Sequence, residues 1–173
     1  MQPMHYSKNK IKDIKMANDF PITSEGIQKL KEELDQLIKI EREDIKVKIA
    51  EARELGDLKE NAEYHAAKEK QALLEGRISQ LQGIVANSQI IEPKNISSHT
   101  IVFGATVKLT DVHKGSTIIF QIVGKDESNL KLGKISFLSP LGRALIGKEE
   151  GDTVIVKAPK GDIEYEVEEF EFK

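Results

Sequence analysis

The sequence predicts an α+β protein: an N-terminal antiparallel α-helical coiled-coil hairpin followed by a small antiparallel α+β domain. Apolar residues recur at spacings of three and four from Ile27 to Val85, and the period changes to two beyond residue 96. Charged residues make up 32% of the chain and aromatics 5%, with no Trp, a bias that suits long solvated helices better than a large globular core. A glycine and several carboxylates break the helical pattern at 55–61, where one helix must stop and another begin. The expected divisions are a structureless leader at 1–21, a hairpin domain at 22–95 with its tip at 55–61, and a second domain at 96–173.

The leader is basic and polar, with no hydrophobic core for a secretory signal, and no apolar run approaches the roughly 20 residues that span a bilayer. Met16 followed by Ala17 is an alternative start, so the leader is assigned no function. The absence of cysteine excludes disulfides and thiolate metal sites and fits a reducing compartment, with the cytoplasm as the expected location. A net charge of -3 argues against general affinity for nucleic acid, which needs an excess of Lys and Arg on the contacting face.

From Ile22 onward, Thr23 or Ser24 can cap a helix whose seam is Ile27, Leu30, Leu34 and Leu37. The heptad fails near Glu41. Ile38, Ile45, Ile49 and Ala52 resume the seam one position on, as a stutter would. Continuing to Glu54, the helix has about 30 residues and a length of roughly 45 Å at the standard rise. A second run follows in Ala62, Ala66 or Ala67, Leu74, Ile78, Leu81 and Val85. Either helix alone would be marginal, but two packed along an apolar seam persist. The stretch 87–100, with Pro93, Asn95, Ser97 and Ser98, reads as a strand end and a linker. Beyond it the alternation predicts strands at 102–110, 117–123, 131–137, 153–158 and 163–172. In the last, Ile163, Tyr165 and Val167 share a parity that Phe170 and Phe172 do not, so a bulge is expected near Glu168 and Glu169. Ser139 and Pro140 open a short helix to Ile146.

At the tip, Gly56 suits a helix C-cap, and Asp57 with Glu60 has the spacing of a capping box. These caps account for the residues structurally. They account less well for the acidic excess of Asp57, Glu60 and Glu63, since carboxylates three apart can also share a hard cation such as Mg²⁺. Two would hold it weakly, so metal chemistry here requires ligands from a partner. Arg53 and Lys68 flank the tip and either form a basic patch or pair with neighbouring Glu residues. Gly142 to Lys148 matches most of a phosphate-loop pattern, but Glu149 stands where Ser or Thr should ligate Mg²⁺, and a packed helix is the better reading. His5, His65, His99 and His113 are scattered without ligand spacing.

The run Glu51 to Ala67, Glu-Ala-Arg-Glu-Leu-Gly-Asp-Leu-Lys-Glu-Asn-Ala-Glu-Tyr-His-Ala-Ala, closely resembles the tip signature of bacterial Gre-type transcript cleavage factors, nearest their GreA branch. A second block, Phe103 to Val107 with Ser139 to Gly142 and Ala144 to Lys148, is similar to that family's carboxy-terminal domain, so the resemblance covers about residues 22–172. It implies an FKBP-like second domain that docks at the rim of the RNA polymerase secondary channel, with Ser139, Pro140 and Gly142 as docking candidates. It also implies that the hairpin enters the channel and reaches the nascent RNA 3′ end of a backtracked complex. Asp57 and Glu60 would then complete the shell of a Mg²⁺ shared with the polymerase active centre. No cofactor would be bound to the chain alone. Arg53 and Lys68 would contact RNA, although Lys68 stands where the family pattern has Arg and lacks its bidentate fork. Gly56, Asn61 and Tyr64 would support the tip. On this reading the protein is a monomer without membrane contact, and it stimulates the polymerase's own endonuclease rather than being an enzyme. The alternatives are a polymerase-binding inhibitor without cleavage stimulation, a prolyl isomerase and a plain coiled-coil scaffold.

Overall fold

A computed structural model of the chain describes residues 4–5, 20–158 and 161–173. Two compact units emerge. One is Ile27–Ser88; the other combines Gln89–Lys173 with the described residues up to Gly26.

In the helical unit the first arm comprises α1 (Ser24–Gln36), a π-helical turn at Leu37–Glu41 and α2 (Arg42–Glu54). The second arm is the 26-residue α3 (Ala62–Asn87). The π turn accommodates one residue more than an α turn, and it lies where the heptad was expected to slip by one. Leu37 at its start and Ile49 and Ala52 after it are all buried, as are Ala67, Leu74, Ile78 and Leu81 of α3. Ala67, not Ala66, takes the seam position near the tip. Two bidentate guanidinium–carboxylate pairs cross between the arms on either side of the π turn. Arg77 holds Glu33 at 2.8 and 3.0 Å, and Arg42 holds Glu75 at 2.8 and 2.6 Å. Such pairs contribute little energy at a wet surface but fix which residues stand opposite one another.

The second unit is built on a five-stranded sheet in the order β7-β6-β5-β9-β8. These strands are β5 (Thr106–Asp111), β6 (Thr117–Val123), β7 (Lys134–Ser136), β8 (Thr153–Ala158) and β9 (Gly161–Glu171). Val107 and Leu109 of β5, Ile122, Ile135, Val154 and Val167 point to one face, where Leu145 of the short helix α4 (Pro140–Leu145) and Ile101 complete the core. The expected bulge is present: Lys108 pairs with Glu169 but Leu109 with Val167, leaving Glu168 as the extra residue. The Thr110 hydroxyl donates to Glu168 and Lys108 Nζ lies 3.0 Å away, which together hold the Glu168 carboxyl below its ordinary range.

Three expectations are corrected. The sheet is antiparallel except at its β7 edge, where β6 and β7 run parallel. The segment between them holds two 3₁₀ turns, Lys125–Glu127 and Leu130–Leu132, and is long enough to carry the chain back to the same end of the sheet. The strand expected at 131–137 shrinks to Lys134–Ser136 because Gly133 adopts φ 67° after the second of those turns. The strand expected from residue 102 begins only at Thr106, since Gly104 has φ 90° and turns the chain. Ile101, Val102 and Phe103 are buried as loop residues instead.

The leader was expected to lack structure. Residues 1–3 and 6–19 lie outside the described residues, but Met4–His5 form a two-residue strand, β1, parallel to β4 (Ile96–Ser97). Phe20–Thr23 form β2, which pairs with β3 (Ser88–Ile91), and Pro21 is buried. Glu127 anchors the end of β2. Its carboxylate accepts from the Thr23 amide (2.9 Å), the Thr23 hydroxyl and the Gly124 amide (3.0 Å). Thr23 in turn caps α1 by accepting from the Gly26 amide at 3.0 Å. A Cβ on Gly26 would lie 2.0 Å from the Glu127 carboxylate, so a larger residue here would displace that carboxylate from its Thr23 and Gly124 partners.

Candidate functional site

The tip is built by the way two helices end. Leu55 closes α2 with its amide on the Ala52 carbonyl at 3.3 Å, and Gly56 follows at φ 127°, a conformation that disfavours any residue with a Cβ. On the other side Asn61 opens α3, its Oδ1 accepting from the Tyr64 amide at 2.9 Å. The same side chain reaches back: Asn61 Nδ2 donates to the Ala52 carbonyl at 2.6 Å. One asparagine thus pairs with a donor of α3 and an acceptor of α2, which ties the two helix ends together.

This arrangement corrects the capping-box expectation. Asp57 and Glu60 do not cap α3, because Asn61 does. Asp57 Oδ1 instead accepts from the Lys59 amide at 2.9 Å, folding the loop locally. Asp57, Glu60 and Glu63 are all exposed. Both carboxylates of the Asp57/Glu60 pair are therefore presented to solvent on a loop whose ends are clasped. Among the described residues, no group of three or more His, Asp or Glu is placed to hold a metal ion. The donor set of the tip is oxygen only, which suits a hard cation such as Mg²⁺ but falls short of a full shell.

Arg53 lies over the Tyr64 ring, its guanidinium carbon 5.8 Å from the centroid, so the cation and the aromatic brace the two helix ends against each other. The His65 ring meets Tyr64 edge-on at 5.7 Å. Lys68, one turn further, donates to Gln71 of its own helix at 2.6 Å. Gly56, Asn61 and Tyr64, expected as tip supports, thus come together with Arg53 and the acidic loop.

Of the docking candidates, Ser139 caps α4 by accepting from the Gly142 amide at 3.0 Å and Pro140 occupies the first helical position, exposed. Gly142 is buried. A Cβ there would come within 2.3 Å of the Ser136 carbonyl, so its place is in packing rather than on a surface.

Sequence reasoning missed His65. Its ring Nε2 lies 3.2 Å from the Lys59 carbonyl and donates to it. No ligand spacing signals this contact, because it depends on the fold of the loop and not on a helical or strand period. It also left the Arg42–Glu75 and Arg77–Glu33 pairs unassigned.

Residues 20–90 match the family "Transcription elongation factor, N-terminal", and residues 96–172 match "Transcription elongation factor, GreA/GreB, C-term". The chain belongs to the GreA/GreB transcription elongation factors. Within this family it is 52% identical over 153 residues to the transcription elongation factor GreA of Alkalilimnicola ehrlichii, covering 88% of this chain and 97% of that protein. It is 51% identical over 158 residues to GreA of Thermodesulfovibrio yellowstonii, covering 91% and 100%. The crystal structure of GreA factor homolog 1 from Thermus thermophilus is 29% identical and superposes with a TM-score of 0.42 over 88% of this chain and 99% of that one. In this GreA/GreB factor, α2 and α3 lie within the amino-terminal match and α4 within the carboxy-terminal one.

Proposed function

We propose that this GreA/GreB factor binds bacterial RNA polymerase in the cytoplasm, passes its hairpin into the secondary channel and stimulates cleavage of backtracked nascent RNA by the polymerase itself. The observation that carries this reading is the exposed pair Asp57 and Glu60 on a loop clasped by Asn61, at the helix-to-helix turn of a family member. The chain contributes ligands and position, not a complete active site, which is why it is read as a stimulator and not as an enzyme.

Asp57 and Glu60 would hold a Mg²⁺ jointly with carboxylates of the polymerase, and the ion when bound supplies charge stabilisation at the attacking and leaving oxygens of phosphodiester hydrolysis. Asp57 keeps Oδ1 on the Lys59 amide and presents Oδ2 to a ligand, so binding need not unfold the loop. Glu60 immediately precedes the Asn61 cap. Arg53, held over Tyr64, brings positive charge to the same end and suits the RNA backbone near its 3′ end. Lys68, which donates to Gln71, adds a second positive charge one turn further along α3. Ser139 and Pro140 are the surface candidates for contact with the channel rim.

The test is addition of the protein to halted, backtracked elongation complexes in Mg²⁺. Short 3′ RNA fragments are expected. Asp57→Ala and Glu60→Ala should each lower the cleavage rate by at least about a hundredfold, in line with removal of a group that stabilises transition-state charge, while competition binding to polymerase is retained. Binding without fragments from the parent protein would instead identify a polymerase-binding inhibitor, and unchanged cleavage by both variants would remove the ligand assignment.

A further inference from the structure

We infer that His65 is a positioning residue for the tip carboxylates, acting through the backbone of Lys59; this rests on the function proposed above. The Lys59 backbone is held on both sides of its Cα. Its N–H donates to Asp57 Oδ1 at 2.9 Å, and its C=O accepts from His65 Nε2 at 3.2 Å. That carbonyl carbon is bonded to the nitrogen of Glu60. A continuous path therefore runs from the Asp57 carboxylate through the Lys59 backbone, from its N–H in one peptide unit to its C=O in the next, and on to the imidazole, with Glu60 attached to the pinned end.

The anchor of this path is held by two contacts. His65 sits in the first turn of α3, where its amide donates to the Asn61 carbonyl at 3.1 Å, and its ring is braced edge-on by Tyr64. Tyr64 is in turn packed against Arg53 of the opposite helix. The imidazole consequently ties the middle of the loop to the same framework that Asn61 ties at its ends. The acceptor is a carbonyl, so the ring must carry its proton on Nε2. Without that bond the Lys59–Glu60 peptide can rotate, which frees Glu60 relative to Asp57 while leaving both helix caps intact. A pair of carboxylates that must share one cation with a partner loses effectiveness when the angle between them is no longer fixed, since coordination geometry tolerates small errors only.

The test uses the full chain on backtracked elongation complexes, with His65→Ala, His65→Gln, Asp57→Ala and Glu60→Ala side by side. His65→Ala should lower the cleavage rate about three- to tenfold, the scale of one hydrogen bond, and raise the Mg²⁺ concentration for half-maximal cleavage, with unchanged affinity for polymerase. His65→Gln, whose side-chain amide can donate to the same carbonyl, should recover most of both. In the free protein, amide hydrogen exchange over residues 59–61 should be faster in His65→Ala than in the parent, with circular dichroism of the helices unchanged. Parent-like cleavage and Mg²⁺ dependence in His65→Ala, while Asp57→Ala and Glu60→Ala abolish cleavage, overturns this inference alone. A loss matched by an equal fall in polymerase affinity also overturns it. If Asp57→Ala and Glu60→Ala leave cleavage untouched, the functional reading beneath it falls instead.

Discussion

Asp111 stands out among the described residues as a buried carboxylate at the turn between β5 and β6. The Lys114 amide at 2.9 Å is the main cause that holds its carboxyl below the ordinary range, helped by the Lys114 ammonium and the His113 amide at 3.0 Å and opposed by desolvation. A carboxyl lowered in the folded state stabilises the fold above its unfolded value of about 4, and that contribution disappears as pH falls through the lower folded value. Asp111→Asn should therefore be less stable than the parent at neutral pH, with the difference narrowing at pH 3; urea midpoints at the two pH values measure it. The tip shows how far single residues could be read in advance. Asp57, Glu60, Asn61 and Tyr64 were all legible as members of a helix-to-helix turn. Which one caps was not, because Asp and Asn offer the same carbonyl-type acceptor and only the loop's path decides whose oxygen meets the Tyr64 amide. The His65 contact escaped for a related reason: its acceptor is a backbone carbonyl six residues back, a partner that leaves no trace in side-chain spacing.

At the level of elements, the π turn at Leu37–Glu41 is the visible result of one surplus residue in an otherwise regular seam. The surplus was evident in the sequence as a slipped heptad, since Leu37 and Ile49 can both be buried only if the backbone absorbs one position between them. Deleting Ile40, which is exposed, should convert the π turn to an α turn while keeping Ile49 and Ala52 on the seam. The melting temperature followed by helix circular dichroism is expected to stay level or rise. An alanine inserted after Lys46 has no such outlet and would rotate the following seam residues by about 100°, exposing Ile49; a fall of about 10 °C or more is expected. The β elements were legible where alternation was clean, including the Glu168 bulge. They were misjudged where hydropathy alone cannot separate a buried loop from a strand: Ile101, Val102 and Phe103 are as apolar as any strand, and only the turn at Gly104 excludes them. Parallel pairing of β6 with β7 was likewise invisible, because strand direction depends on the route of the connection and not on the residues of the strand.

Over the whole molecule, the chain leaves the β unit at Gly26 and re-enters it at Gln89. A boundary drawn from composition near residue 96 could not reveal this. The four residues of β2 are too few to show a period, and their anchor, Glu127, lies 104 positions away from Thr23. Glu127→Ala would leave the buried Thr23 amide and hydroxyl and the Gly124 amide without their acceptor, a loss of about 2–4 kcal/mol. Equilibrium urea unfolding should show the lowered midpoint, with Glu127→Gln retaining part of the difference because its amide oxygen can still accept from Thr23.

That long reach from Thr23 to Glu127 also sets an order of events during synthesis. By the time residue 88 clears the ribosome, both arms of the helical unit are available and can zip together from the tip through contacts close in sequence. The amino-terminal end of the first helix must wait, capped by Thr23 but unanchored, until some forty more residues have been translated and Glu127 appears. Nascent chains arrested before that point should carry a finished hairpin and an amino-terminal strand held only by its pairing with β3, so protease sensitivity near residues 20–23 should fall sharply when Glu127 emerges.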